Sequence, residues 1–194
     1  MEIIVYSLIA YLIGSIPFGL VVGKLFGKDI RKEGSGNIGA TNVTRVVGKK
    51  AGILVLVLDA VKGFLPVYYL IGKGYTPKFI SAICIFAVLG HTFSIFLKFK
   101  GGKGVATALG VLFALSLKSS VIVLIFWLGI FLATGYVSLA SILSAGIFWV
   151  VVHVITGDIY YTYASLIIAL IIVLKHRSNI DRLLKGEEYR FIHK

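Results

Sequence analysis

The sequence is poor in acid: eight Asp and Glu stand against 20 Lys and Arg in 194 residues, a formal net charge of +12. It has one cysteine, Cys84, inside an apolar run. That excludes a disulfide within the chain and a Cys-based metal site, and leaves Cys84 as a small packed hydrophobe. Charge of either sign is thin, at 14% of residues, while 58% are apolar. A soluble domain carries about 25% charged and about 45–50% apolar residues. Low-complexity tracts and clear internal repeats are lacking, and a transporter built on inverted repeats often shows such symmetry. The amino terminus has Glu2 but no Lys or Arg before its apolar run. A cleavable signal peptide is therefore not expected, and the first helix should stay, with its N-terminus outside.

What is there is apolar sequence in blocks. Crossing a bilayer takes about 20 such residues per helix. Hydropathy gives seven candidate spans, 3–22, 52–71, 79–97, 105–117, 121–134, 137–155 and 159–174, the fourth and fifth short enough to be tilted or partly re-entrant. The expected fold is an all-α integral membrane protein of about seven transmembrane helices, one domain over 1–194. With the N-terminus outside, the first inside connection carries seven basic residues, Lys24 to Lys50. The second carries Lys98, Lys100 and Lys103, and the tail six, Lys175 to Lys194. Outside lie Lys73, Lys78 and Lys118, and Lys62 falls within a span. This asymmetry orients the chain, with a cytoplasmic C-terminus. In a soluble protein such a charge suggests nucleic acid. Here the aromatics lie in the spans instead of among the basic clusters, so anionic lipid or anionic substrates are the expected partners, and no nucleic acid.

Three inside segments can carry chemistry. In the first, Gly34, Gly36 and Gly39 satisfy G-x-G-x-x-G, but no strand precedes them, so a dinucleotide fold is rejected. The physics of the motif survives: glycines let backbone N–H groups approach a phosphate. Ser35, Asn37, Thr41 and Asn42 add neutral hydrogen-bonding groups, and Arg45 can grip an oxyanion through two parallel bonds. In the second, Gly101, Gly102 and Gly104 precede a helix whose first N–H groups favour an anion, and Lys103 adds a point charge. This is not a Walker A loop. His91 reads by default as a packed histidine, and Lys98 and Lys100 as topology signals. In the third, a helix continuing past the last span puts His176, Asn179 and Leu183 on one face. Two His-x4-Asp matches occur, His153 with Asp158 and His176 with Asp181. The first falls on the outer side and is set aside; the second is short enough to arise by chance. Asp59 and Lys62, at i and i+3 in the second span, read as a local ion pair.

Segments 34–45, 90–107 and 176–187 together resemble the acyl-phosphate-dependent glycerol-3-phosphate acyltransferases of bacterial membranes. The resemblance covers almost the whole chain and lies in three blocks, in order, in register with the spans. It implies an enzyme of the bacterial cytoplasmic (inner) membrane with its active site on the cytoplasmic face. That enzyme moves a fatty acyl group from acyl phosphate to the sn-1 hydroxyl of glycerol 3-phosphate, giving lysophosphatidic acid and phosphate. It implies no cofactor, no metal and no obligate protein partner. It leaves the position of Asp181 variable, which weakens the second His-x4-Asp pair.

The residues suit that chemistry, because both substrates carry a phosphate. An acyl phosphate is already activated, so catalysis needs positioning and charge stabilisation and no covalent nucleophile. Ser35, Arg45, Lys103 and backbone amides are expected to hold phosphate oxygens. His176 and Asn179 orient the acceptor, Ser138 contacts it, and Glu187 completes the third segment. The competing readings are an anion or phosphate transporter, and a scaffold binding anionic lipid.

Overall fold

The computed structural model describes residues 1–191; Lys194, counted above among the tail charges, lies outside the described residues. All regular structure among them is helical. α1 (Glu2–Ser15) stops where Pro17 forces Ile16 out of the helical region, to ψ 118°. α2 (Phe18–Leu25) follows, so the first expected span is broken near its inner third. A short α3 (Ala40–Val46) interrupts the first glycine-rich connection. α4 (Lys49–Gly72) is the long second span. α5 (Pro77–Thr92) starts on a Thr76 cap and a first-turn proline, both preorganised for a helix start.

The third expected span ran to 97. Instead α5 ends at Thr92 and a single 3-10 turn, Ile95–Leu97, leads into Lys98 and Phe99 with φ of 51° and 62°. α6 (Val105–Leu115) has 11 residues, about 17 Å at 1.5 Å per residue, too short to cross a hydrocarbon core of about 30 Å alone. Ser116 ends it and caps α7 (Leu117–Thr134), so the 118–120 connection expected there is helical. Gly135 turns the chain into α8 (Val137–Thr156). Asp158 accepts from Tyr161 N at 2.9 Å and starts α9 (Ile159–Lys175), which accounts for it structurally; His153 packs against Thr162. α10 (Arg177–Leu184) bends away from α9 by 55°, so the single continuing helix expected at His176 is broken there.

Among the described residues, five helical segments are long and apolar enough to cross a membrane, and α9 with α10 makes a sixth as a bent pair. The bundle is inverted relative to a water-soluble protein. Leu12, Tyr68, Ile125, Leu132, Val154 and Leu170 face outward, while Ser7, Asp59, Lys62, Ser81, Thr107, Ser144 and Ser165 are buried. Lipid offers no penalty to exposed Leu or Ile, so polar side chains are confined to helix–helix seams. The main core joins α1 and α4 to α9 around Val67, Ile83, Cys84, Val111, Phe148 and Ile168. Small residues bring backbones together: a Cβ on Gly63 would collide with the Thr107 carbonyl, and one on Gly110 with that of Ala60, locking α4 to α6. A second apolar cluster, Leu20, Ile30, Ile38, Val43 and Val55, anchors the first connection and α3 against α4.

Candidate active site

Residues from all three predicted segments meet in one cavity of about 640 Å³. The first segment is organised by Asn42, which is 1% exposed. Its Oδ1 accepts from Ser35 N at 2.8 Å, and its Nδ2 donates to the carbonyls of Ile30 at 2.9 Å and Glu33 at 3.1 Å. The amide thus shapes the loop, while Asn42 itself lies on the cavity lining. Gly34, at φ +60°, presses on that amide, where a Cβ would collide with Asn42 Oδ1. Asn37 accepts from Gly39 N at 3.0 Å and closes the next turn. Gly34, Ser35, Asn37, Gly39, Thr41 and Arg45 line the cavity; Gly36 does not, packing instead toward the Arg31 carbonyl.

The second segment departs further from expectation. Lys103 and Gly104 line the cavity, with Val105 and Ala106 at the start of α6, but Gly101 and Gly102 do not. Gly102 N donates to the His91 carbonyl at 3.0 Å. A Cβ on Gly102 would collide with the His91 ring, and one on Gly101 with the His91 carbonyl. These two glycines let the loop lie flat on the end of α5, away from the cavity lining where they were expected. His91 in turn belongs to a buried polar group. Its Nδ1 is 3.6 Å from Asp59 Oδ1, which is 2.7 Å from Lys62 Nζ. Lys62 also donates to the Ile16 carbonyl at 2.7 Å, capping the broken end of α1. The expected Asp59–Lys62 pair is present. Its extension to His91, which puts Asp59 and His91 on the cavity wall, had no local sequence signal.

The third segment brings His176 and Asn179 inside, at 3% and 5% exposure. The His176 Nδ1 lies 2.7 Å from the Ile172 carbonyl, which can only accept. Nδ1 therefore carries the proton, and the Nε2 lone pair is free. His176 lies at the break beyond α9, where burial, reinforced by the Lys103 cation, pushes its pKa down to about 4. Asp181 is exposed and takes no part, so the second His-x4-Asp pair is not a dyad. Leu183, expected on the same face, does not line the cavity.

Lys103 donates to Asn179 Oδ1, and burial pulls the ammonium down to about 8, helped by Arg182 and Arg45 and opposed by Glu188. Asn179 Nδ2 donates to Glu188 Oε1 at 2.7 Å, and Arg182 Nε to Glu188 Oε2 at 2.7 Å. Burial disfavours the ionised Glu188, but these hydrogen bonds outweigh it and hold the carboxyl below the usual range. Ser138 Oγ lies buried beside this carboxylate without a hydrogen bond of good geometry. Glu187, the acid singled out from sequence, borders the cavity but is exposed and pairs with nothing among the described residues; Glu188 is the bracing carboxylate. Glu188, Tyr189 and Phe191 also line the cavity, a contribution hidden in what reads as a solvated tail.

A second, apolar groove of about 150 Å³ adjoins the first. Leu56, Val105, Ala106, Trp127 and Ser141 border both, and the groove continues past Leu112, Ser144 and Phe148 into the bundle. Trp127 Nε1 donates to Ser141 Oγ at 3.1 Å at the junction.

A polar, cationic cavity opening onto an apolar groove between membrane helices defines a multi-pass membrane protein that handles anionic, lipid-like molecules. The glycerol-3-phosphate acyltransferase family model matches residues 4–186. A glycerol-3-phosphate acyltransferase of Aquifex aeolicus is 45% identical over 98% of this chain and 100% of its own length. One of Geobacter sulfurreducens is 44% identical over 97% of both chains. The crystal structure of PlsY, an integral membrane glycerol 3-phosphate acyltransferase, in its glycerol 3-phosphate form, matches with TM-score 0.95 and 44% identity over 99% of this chain and 96% of that one. Its lysophosphatidic acid form matches with TM-score 0.93. The chain belongs to the glycerol-3-phosphate acyltransferase family.

Proposed function

We propose that this enzyme transfers a fatty acyl group from acyl phosphate to the sn-1 hydroxyl of glycerol 3-phosphate, releasing lysophosphatidic acid and phosphate, without acyl-CoA. The observation that carries this reading is the junction of the two cavities: an acyl phosphate needs an anion site and an apolar groove sharing a rim, and Val105, Ala106, Trp127 and Ser141 are such a rim. The solved relative's two forms, with glycerol 3-phosphate and with lysophosphatidic acid, support the acceptor and the product.

In this mechanism the two phosphates sit among Arg45, Lys103, Ser35 and Thr41, with the acyl tail in the groove. The acceptor hydroxyl attacks the carbonyl carbon, the new ester C–O bond forms, and the carbonyl–phosphate C–O bond breaks. Lys103 neutralises charge developing on the carbonyl oxygen or the departing phosphate. At pH 7 an ammonium of pKa about 8 is about nine-tenths protonated. The hydroxyl proton goes to His176 Nε2 or to a substrate phosphate oxygen. Bound phosphate anions favour the imidazolium and raise the basicity of His176 in the complex.

We also infer seven traverses, N-terminus outside and C-terminus cytoplasmic, in the bacterial cytoplasmic membrane. The connection after α2, the loop before α6, the first turn of α8 and the tail after α9 all border one cavity. This supports helices that leave that face and return between these segments, with α6 as a partial fourth traverse. The clustering of binding groups at this face argues against a transporter, which places them near the midplane. The test is purified protein with radiolabelled glycerol 3-phosphate and either acyl phosphate or acyl-CoA. Labelled lysophosphatidic acid from acyl phosphate alone is expected; product from acyl-CoA alone, or none from either, defeats the donor assignment.

A further inference from the structure

The cavity holds three cationic side chains, and two are engaged: Lys103 with Asn179 and Arg182 with Glu188. Arg45 differs. Among the described residues it makes no ion pair, and its Nε is buried without a hydrogen-bond partner. Its guanidinium carbon instead lies 4.0 Å from the centroid of the Tyr189 ring and 6.0 Å from that of Phe191. The ring is itself braced. Phe191 meets Tyr189 edge-to-face at 4.8 Å and Phe131 of α7 at 6.5 Å. The strand of tail is pinned to the α7–α8 turn, Phe191 N donating to the Gly135 carbonyl at 2.9 Å and Arg190 Nε to that of Thr134 at 3.0 Å.

A carboxylate would also hold Arg45 in place, but it would neutralise the charge and occupy the donor fork. An aromatic face attracts the cation through its quadrupole and uses none of the five N–H groups. We propose that Tyr189 is a positioning residue: it presents the Arg45 fork to a substrate phosphate, while Arg182 and Glu188 keep the tail carrying Tyr189 in register. This rests on the reading of the cavity as a phosphate site and not on the identity of the acyl donor.

The test is direct titration of inorganic phosphate and of glycerol 3-phosphate into the purified full-length variants, beside steady-state kinetics. Tyr189→Leu should weaken at least one anion about three- to tenfold, raise the corresponding KM, and change kcat less than twofold. Tyr189→Phe should restore affinity to within about twofold of the original. Arg45→Gln/Tyr189→Leu should bind no more weakly than Arg45→Gln alone, because the two changes remove one interaction. Phenylalanines of rising fluorine content at 189 keep the ring's shape but drain its negative face, so affinity should fall in step; this series decides the matter should the leucine variant not fold. Undiminished affinity for both anions in Tyr189→Leu, a Tyr189→Phe variant as weak as the leucine one, additive losses, or indifference to fluorination each overturns the proposal. Absence of turnover with acyl phosphate in every variant, with the binding pattern intact, would sink the donor assignment and leave Tyr189 standing.

Discussion

Lys103 gives the most quantitative test of the electrostatics. Burial and the nearby guanidinium groups of Arg182 and Arg45 hold its ammonium at about 8 in the free enzyme, well below an ordinary lysine. If the cation is what the reaction needs, kcat/KM is governed by its protonated fraction. That fraction is about nine-tenths at pH 7, half at pH 8 and about one-tenth at pH 9. The profile should therefore fall about tenfold from pH 7 to 9, lost as pH rises through the lysine's pKa. In the complex two phosphates favour the ammonium, so the same limb in kcat should lie at higher pH. Lys103→Arg carries a charge that does not titrate in this range. Its absolute rate should drop, since a planar fork cannot copy the ammonium's contact with Asn179, but its alkaline limb should vanish. The assay is incorporation of labelled glycerol 3-phosphate at sub-KM concentrations from pH 6 to 9.5, corrected for spontaneous donor hydrolysis. A Lys103→Arg profile that keeps the limb near pH 8 refutes the reasoning.

His176→Ala and His176→Gln should lower kcat about 100-fold or more if Nε2 takes the proton; because the imidazole of the free enzyme titrates near 4, no acid limb from it should appear in kcat/KM between pH 5 and 7. Near-normal turnover with an unchanged pH profile in either variant assigns the proton to a substrate phosphate. Gly102→Ala drives a methyl into the His91 ring and must displace the Lys103 loop, so thermal melting should show a lower Tm and kinetics a higher KM. Asp59→Asn leaves the 3%-exposed Lys62 without its counter-charge and should cost about 3–5 kcal/mol. The double variant Asp59→Leu/Lys62→Met should recover most of that in the same melt, and failure to recover it would mean the pair does more than balance charge.

The long helices were legible because most of the apolar blocks are long. Breaks within the blocks were less so. Pro17 carried a plain signal for the end of α1, yet hydropathy averages over it. The end of α5 carried none, since Phe93, Ile95 and Phe96 are as apolar as the helix before them. The site segments were legible from unusual residue types in a hydrophobic chain: Arg45, Lys103, His176 and Asn179 converge as expected. What could not be read was the division of labour. Asn42 and Gly102 match a phosphate cradle by type, but backbone geometry assigns one to holding a loop and the other to a close approach to His91. Glu188 and Tyr189 were missed because charged and aromatic residues after the last span look like any solvated tail.

That division has one physical logic. Arg45, Lys103 and Arg182 crowd one cavity; burial is the main cause of the depressed ammonium of Lys103, and repulsion from the two guanidinium groups adds to it. Glu188 relieves it only partly, and its carboxylate is held on the far side by Asn179 and Arg182 instead of pairing with Arg45. The fold thus keeps a positive potential that internal acid would cancel, and the scarcity of acid in the sequence is the same fact seen earlier. A phosphate entering this cavity meets donors already oriented by Tyr189 and Asn179, so little reorganisation is needed to stabilise charge as it develops. The stabilisation forgone by leaving cations unneutralised comes back when substrate binds. Under the proposed reaction it is largest when negative charge is most concentrated beside Lys103, as the carbonyl–phosphate bond breaks.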